Sequence, residues 1–427
     1  MKKYLSFKEA IEKLISNLPP KWKVYRAKGI FNQVDVRSQT GEEQLLSVSE
    51  HRGVVPRNEM KITMFMAESY EGYKLCEVGD LVINSLWAWG RGIGISEYNG
   101  IVSTAYGVFR LKDKNLFSPK YLNYLLRTKD YVALYYMRSK GIWISRLQLQ
   151  DKNFLDLPII CPPKDEQDEI VQYIKAQEEK INLFIQKKQR FIELLKEQRQ
   201  RIINYSVTKG INPNAEMKDT GIEWLGEIPK HWQLRRLKNV AEVVLGKMLC
   251  NEDKGGYALK PYLKSKNIGW DKVIIEEVDE MWFSPKEMLT YRVKENDLLV
   301  SEGGEVGKTC IWKNELDECY IQNSVHKLTC FEDCLPEFYL FWMGMLGSVG
   351  YFRSIVNQVS IAHLTREKVV TVICLHPPLE EQKQIVAHIK TETATIDTAI
   401  AKAEREIELI REYKEAMIAE AVMGKRK

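Results

Sequence analysis

Apolar residues return every seven positions along one stretch of the chain, at Ile174, Ile181, Leu195 and Ile202, with Lys188 interrupting the series and Phe184, Ile185, Phe191 and Ile192 beside it. That period is the seam of a long amphipathic helix. The phase recurs later, at Ile389, Ile396, Ala403, Ile410 and Met417. The two stretches are copies: at a constant offset of 215, eighteen of the 46 positions from Pro162 to Val207 are identical, among them Pro162/Pro377, Gln167/Gln382, Ile174/Ile389, Arg190/Arg405 and Val207/Val422. A proline pair opens each copy, and Asp165, Glu166, Glu380 and Glu381 suit the positive end of a helix. At ~1.5 Å per residue each helix extends on the order of 65 Å, which is a spacer rather than part of one globule. Such a stripe must be covered, and the duplicate is the natural partner. The expectation is an antiparallel, pseudo-two-fold coiled coil; separate packing of each helix onto its preceding domain is the alternative.

The segments before each helix also correspond. LPPKWKVYRAKGI from Leu18 is answered by IPKHWQLRRLKNV from Ile228, VGDLVINSLWAWGRGIGI by ENDLLVSEGGEVGKTCIW, IVSTAYGVF by YIQNSVHKL, SPKYLNYLL by LPEFYLFWM, and IWISRL by VSIAHL. Alternating runs broken by Gly, Pro, Asn and Ser predict strands, and Ser118 to Ser139 has helical spacing. GIVSTAYGVFRL reads as one strand, and MKKYLSFKEAIEKLI as an amphipathic opening helix rather than a signal peptide. The class is α/β (α+β), divided into a globular unit at 1–160, a long helix within 161–210, a second unit at 211–375 and a second long helix within 376–427. While the strands persist, the loops between them diverge, as readers of two different surfaces require.

Composition adds little. With 44% hydrophobic and 28% charged residues the chain can bury cores, and no apolar run nears the length of a membrane span, so a soluble, cytoplasmic protein is expected. A net charge of +5 gives mild support to a polyanionic partner. Eight cysteines lack paired spacing; Cys330 and Cys334 with His326 come nearest to a metal cluster but read as core residues, so no metal is expected. GGEVGKT (303–309) imitates a phosphate loop, yet Glu302 stands where its first glycine belongs, and a tight turn is the better account. CPPK (161–164) and HPPL (376–379) lack the residues that flank the proline pair of amino-methyltransferases. No catalytic constellation is evident, and a non-catalytic chain is expected.

The positive chemistry is basic, aromatic and amide-bearing loops. In the first unit these are Arg37, Arg52, Arg57, Trp87, Trp89, Arg91, Lys140, Trp143 and Arg146; in the second, Lys247, Lys264, Lys266, Asn267, Lys308, Gln322, Asn323 and His363. Arginine suits guanine edges and phosphates, amides suit adenine, and tryptophan stacks, so the sets are candidate DNA contacts.

GIEWLGEIPKHWQLRRLKNVAEVVLGK (221–247), the PPxxEQxxIVxxI entry to both helices, and the duplication together resemble the DNA-specificity subunit of type I restriction-modification systems. LLSVSEHRGVVPR, INSLWAWGRG and GIVSTAYGV are similar to one variety of its first domain. The resemblance implies two target-recognition domains, each reading half of a bipartite site, with the helices setting the unread spacer. It implies two methyltransferase subunits carrying S-adenosylmethionine, and restriction/translocase subunits using ATP and magnesium, with no cofactor in this chain. At the N-terminus a helix replaces the GIEWLGEIPxxW opening. An autonomous nuclease with a duplicated DNA-binding body and a coiled-coil scaffold are the rival readings.

Overall fold

The computed structural model describes residues 6–60, 69–141, 147–356 and 363–425. Contacts divide the backbone into two compact units, Met1–Lys188 with Arg405–Lys427, and Gln189–Glu404, so each unit takes a segment of both long helices.

The first unit is built on a four-stranded antiparallel sheet in the order Phe31–Gln33, Tyr106–Leu111, Leu81–Asn84, Ile93–Ile95. Strand Lys23–Arg26 pairs separately with Pro158–Cys161, which feeds the central helix. GIVSTAYGVFRL forms two strands instead of one, Gly100–Val102 and Tyr106–Leu111. The break is a turn in which Tyr106 N–H donates to Ser103 O at 2.9 Å, and it lets the first piece pair with Lys74–Cys76 and the second join the sheet. The helical stretch after Ser118 likewise resolves into Pro119–Leu126 and Lys129–Arg138, because the Thr128 hydroxyl caps the second helix. Asp151–Leu155 is an additional short helix. Ser6 caps the opening helix Phe7–Ile15, whose Ala10 and Leu14 enter the core.

The second unit repeats the frame. Its sheet runs Ala241–Leu245, Val325–Cys330, Leu298–Ser301, Thr309–Ile311, again antiparallel throughout, and Gln233–Arg236 pairs with Ile373–His376. The equivalence reaches single residues. Asp80 and Asp297 are both buried, and each accepts a backbone N–H three residues earlier at 2.8 Å, from Glu77 and Lys294, closing the turn before its strand. Helix Pro336–Ser348 buries Phe338, Tyr339, Trp342 and Met343 where Pro119–Leu126 buries Tyr121, Leu122, Leu125 and Leu126. What differs is added: Ala258–Leu263 pairs with Asp279–Phe283 and Tyr320–Ile321 in a three-stranded sheet of the second unit.

The long helices span Lys164–Lys209 and Leu379–Val422. Each ends at a left-handed glycine, Gly210 (φ 75°) or Gly424 (φ 64°), the backbone that a side chain would strain. Within the first unit Glu178 pairs with Lys414 at 3.0 Å and Lys188 with Glu406 at 2.5 Å; within the second, Lys196 pairs with Glu404 at 3.7 Å and Arg199 with Asp397 at 2.8 Å. Partner numbers fall as the central helix advances, so the segments are antiparallel in both units. Ile174 and Ile181 are buried as the seven-residue period requires, but Leu195 and Ile202 are only half-buried, and Ile192, Ile203 and Val207 take the inner positions instead. An α-helix drifts against a strict seven-residue repeat, which moves the buried stripe to neighbouring positions.

A buried glutamine fastens each helix to its unit. Gln167 Oε1 accepts Ser118 N–H at 2.8 Å, while its Nε2 donates to Leu116 O and Pro162 O at 3.0 and 2.9 Å. Gln382 accepts from Leu335 N–H at 2.8 Å and donates to Asp333 O and Pro377 O at 3.0 and 2.8 Å. Glu166 next to it accepts from Trp22 Nε1 at 2.7 Å, and Glu381 lies 2.7 Å from His231 Nε2.

Candidate nucleic-acid interface

In the first unit the hairpin Leu46–Ser49/Gly53–Pro56 carries Arg52 in its turn and Arg57 just beyond its second strand. Arg52 is exposed and pairs with Glu59, while Arg57 donates to Ser47 Oγ at 3.1 Å. Arg37 is exposed beside Asp35 (3.0 Å) and donates to Gly72 O. Lys140 is exposed, its backbone paired with Gln148; Trp143 and Arg146 lie outside the described residues.

The loop 85–92 does not hold its aromatics free in solvent. Trp87 and Trp89 are half-buried, and Trp89 Nε1 donates to Leu86 O at 3.1 Å. Gly90 is required there, since a Cβ would stand 2.2 Å from the Trp87 indole nitrogen. Arg91 (φ 62°) turns its guanidinium onto Glu415 of the C-terminal helix at 2.8 Å, where Lys129 also binds at 2.7 Å. Arg127 lies beneath, donating to Arg91 O, Ile93 O and Glu50 O; burial first, and the Arg91 charge second, push its pKa down to about 10.

In the second unit five chain segments converge. Lys247 N–H donates to Ile321 O at 3.0 Å, and Asn323 N–H donates to Lys247 O at 2.9 Å. Ser265 N–H donates to Ser324 Oγ at 3.0 Å, and the Ser324 hydroxyl donates to Gln322 Oε1 at 2.5 Å. Glu302 N–H donates to Ser324 O at 2.9 Å, and the Glu302 carboxylate meets exposed His363 at 3.0 Å. Gln322, Asn323, Lys264 and His363 are thus gathered with Ser265, Ser324 and Glu302, which residue chemistry alone did not single out. The signal available was position: each lies in a loop following a strand.

Two candidates are corrected by this geometry. Asn267 is buried, accepting Lys264 N–H and donating to Ile274 O and Glu277 O, so its amide is spent on holding the turn and cannot face adenine. Lys247 is buried as well, its ammonium on Glu287 and 4.9 Å over the Tyr257 ring. Lys264 pairs with Asp279, Lys266 with Glu277 (2.9 Å) and Lys308 with Glu305 (2.7 Å), so these lysines would have to exchange a carboxylate for a phosphate. The 303–309 segment is a tight turn, with Ser301 N–H donating to Lys308 O and Gly307 N–H to Ser301 O. His326 does not join the cysteines: it lies buried with Nε2 2.7 Å from Leu364 O.

No described helix is long and apolar enough to cross a membrane. The profile of the family described as "Type I restriction modification DNA specificity domain" matches residues 19–194 and 229–409. The MjaVIII type I restriction enzyme specificity subunit of Methanocaldococcus jannaschii is 25% identical over 340 residues, covering 76% of this chain and 74% of that protein. The EcoBI specificity subunit of Escherichia coli is 27% identical over 135 residues, 32% of this chain and 28% of that one. A solved chain described under complex assembly and conformational transition of the type I R-M system shares the fold, with TM-score 0.67 and 16% identity over 95% of this chain and 98% of its own. With both halves matched, this chain belongs to the type I restriction-modification DNA specificity family, as a double copy of its domain.

Proposed function

We propose that this specificity subunit reads a bipartite duplex, one half-site per globular unit, and that the length of the paired helices sets the unread interval. The observation that supports this is the repeated frame with replaced loops: the same four-stranded sheet and glutamine lock recur, while Trp87 and Trp89 give way to Gly304 and Val306. Arg37, Arg52 and Lys140 in the first unit, with Lys264, Lys266, Gln322, Asn323 and His363 in the second, are the exposed or half-exposed contacts this reading uses.

The chemistry belongs to partners. Two methyltransferase subunits holding S-adenosylmethionine dock on the long helices, and restriction subunits supply ATP- and magnesium-dependent translocation in the cytoplasm. Supporting the docking surface, Leu183, Phe184, Leu409 and Tyr413 of the first unit and Leu194 of the second remain exposed. The test is methyl transfer to duplex DNA by the purified chain alone and with its methyltransferase subunit, followed by mapping of the methylated adenines. A split motif that appears only with both subunits is expected. Turnover by the isolated chain, or a contiguous motif, overturns the reading.

A further inference from the structure

Where the second unit meets the start of the C-terminal helix, donor side chains gather that the first unit lacks. Asp333, Cys334 and His376 each place one donor atom within 4.8 Å of the others. Cys334 Sγ lies 3.3 Å from Asp333 Oδ1 and 3.9 Å from His376 Nδ1, and His376 Nε2 lies 3.3 Å from Asp333 Oδ2. With Asp333 Oδ1 and Cys334 Sγ as donors, His376 ligates through Nδ1, 3.9 Å from Sγ, and must release the Tyr339 hydroxyl; zinc-ligand bonds of ~2.0–2.3 Å set tetrahedral donors roughly 3.3–3.8 Å apart. Tyr339 O–H reaches His376 Nδ1 at 2.9 Å. Cys374, two residues before His376 on the same strand face, and Cys330 add thiols to the surroundings; their proximity shows in the way each raises the pKa of its neighbours.

The duplication supplies an internal control. The glutamine locks align Asp333 with Leu116 and Leu335 with Ser118, because each pair contacts the same amide atoms. Cys334 therefore corresponds to Phe117, and His376, just before the proline pair, to Cys161. The ordinary way to build this joint is apolar, with Phe117 fully buried. The second unit instead places a thiol, an imidazole and a carboxylate at the same three positions.

We propose that Asp333, Cys334 and His376 form a binding site for a thiophilic divalent cation of the zinc class, which fastens the loop before helix Pro336–Ser348 to strand Ile373–His376, the strand that leads into the C-terminal helix. Asp333 Oδ1 turns toward Cys334, while Oδ2 keeps Arg235 at 2.7 Å, so the carboxylate serves the ion without giving up that pair. Binding removes the Cys334 thiol proton to solvent and leaves a metal-bound thiolate. The Asp333 side is half exposed and gives the entry path.

The experiment is titration of the chelator-treated full chain with cobalt(II) and zinc, read by the thiolate-to-cobalt charge-transfer band and by melting temperature. Expected are a band saturating at one equivalent and a higher melting temperature with zinc. Cys334→Ser should abolish the band and weaken binding by at least roughly 100-fold, the upper end of what loss of an outer partner costs. Cys161→Ser, at the matching place in the first unit, should change neither. Cys334→Ala keeps a small buried side chain and serves as the second variant: it should fold with a circular dichroism spectrum like the parent's and show no zinc-induced shift. No band in the parent, or a band that survives in Cys334→Ser, overturns the proposal.

Discussion

Arg91 shows how a residue's surroundings change what its chemistry means. Its type suits a base edge, but its guanidinium is only 20% exposed and is held by Glu415. We expect it to position the Trp87–Trp89 loop rather than read a base, so Glu415→Gln should reproduce Arg91→Ala: both weaken binding through the same half-site by about 1 kcal/mol, the scale of a partly exposed ion pair. Measured affinities for duplexes varied one base at a time decide it, because loss of discrimination at a single position in Arg91→Ala alone would mark direct reading, a ~1–3 kcal/mol effect. The pair is also acid-sensitive. Burial alone would raise the Glu415 carboxyl, but hydrogen bonds from Arg91 and Lys129 outweigh it and hold the group below its usual 4.5. A depressed carboxyl contributes stability above 4.5 and loses it as pH falls through the folded value. The difference in melting temperature between the parent and Glu415→Gln should therefore shrink as the solution is taken below pH 4.5.

Among the elements, the glutamine locks carry the joints. Replacing Gln167 by Leu removes the partners of Ser118 N–H, Leu116 O and Pro162 O inside a packed interface. An unsatisfied buried group costs ~1–3 kcal/mol, and relaxation offsets part of the three losses, so a destabilisation of about 2–4 kcal/mol is expected by denaturant unfolding. Hydrogen exchange gives the local signature: the Ser118 amide should lose protection in Gln167→Leu and keep it in Gln382→Leu, with Leu335 showing the converse. Equal loss at both amides in either variant would show that the locks do not act locally.

For the molecule as a whole, two unlike readers on one repeated frame should be exchangeable. Replacing residues 1–155 with the matching domain of another specificity subunit should alter one half of the methylated motif and leave the other. Adding a four-residue turn to both long helices, by repeating Glu193–Lys196 and Ala401–Glu404, lengthens each by ~6 Å. Duplex DNA rises ~3.4 Å per base pair, so the unread gap should grow by roughly one or two base pairs with both half-sites unchanged. An unchanged gap at full activity would show that the helices do not set it.

Periodicity and repetition were enough to place the helices, their antiparallel pairing and the doubled α/β frame, because these follow from spacing, and a copy reports its partner's structure whatever its loops contain. The turn at 303–309 was legible for the same local reason: Glu302 excludes a phosphate loop, and the glycines permit the turn seen. Which residues face outward was not local. Asn267 and Lys247 have the composition of DNA contacts but are consumed by Ile274, Glu277 and Glu287, partners 7 to 40 residues away. Arg91 finds Glu415 across 324 residues, and Cys334 finds His376 across 42 instead of His326 nearby. Only the fold determines those meetings, because a side chain's type sets what it can bind, whereas chain topology decides which partner reaches it first.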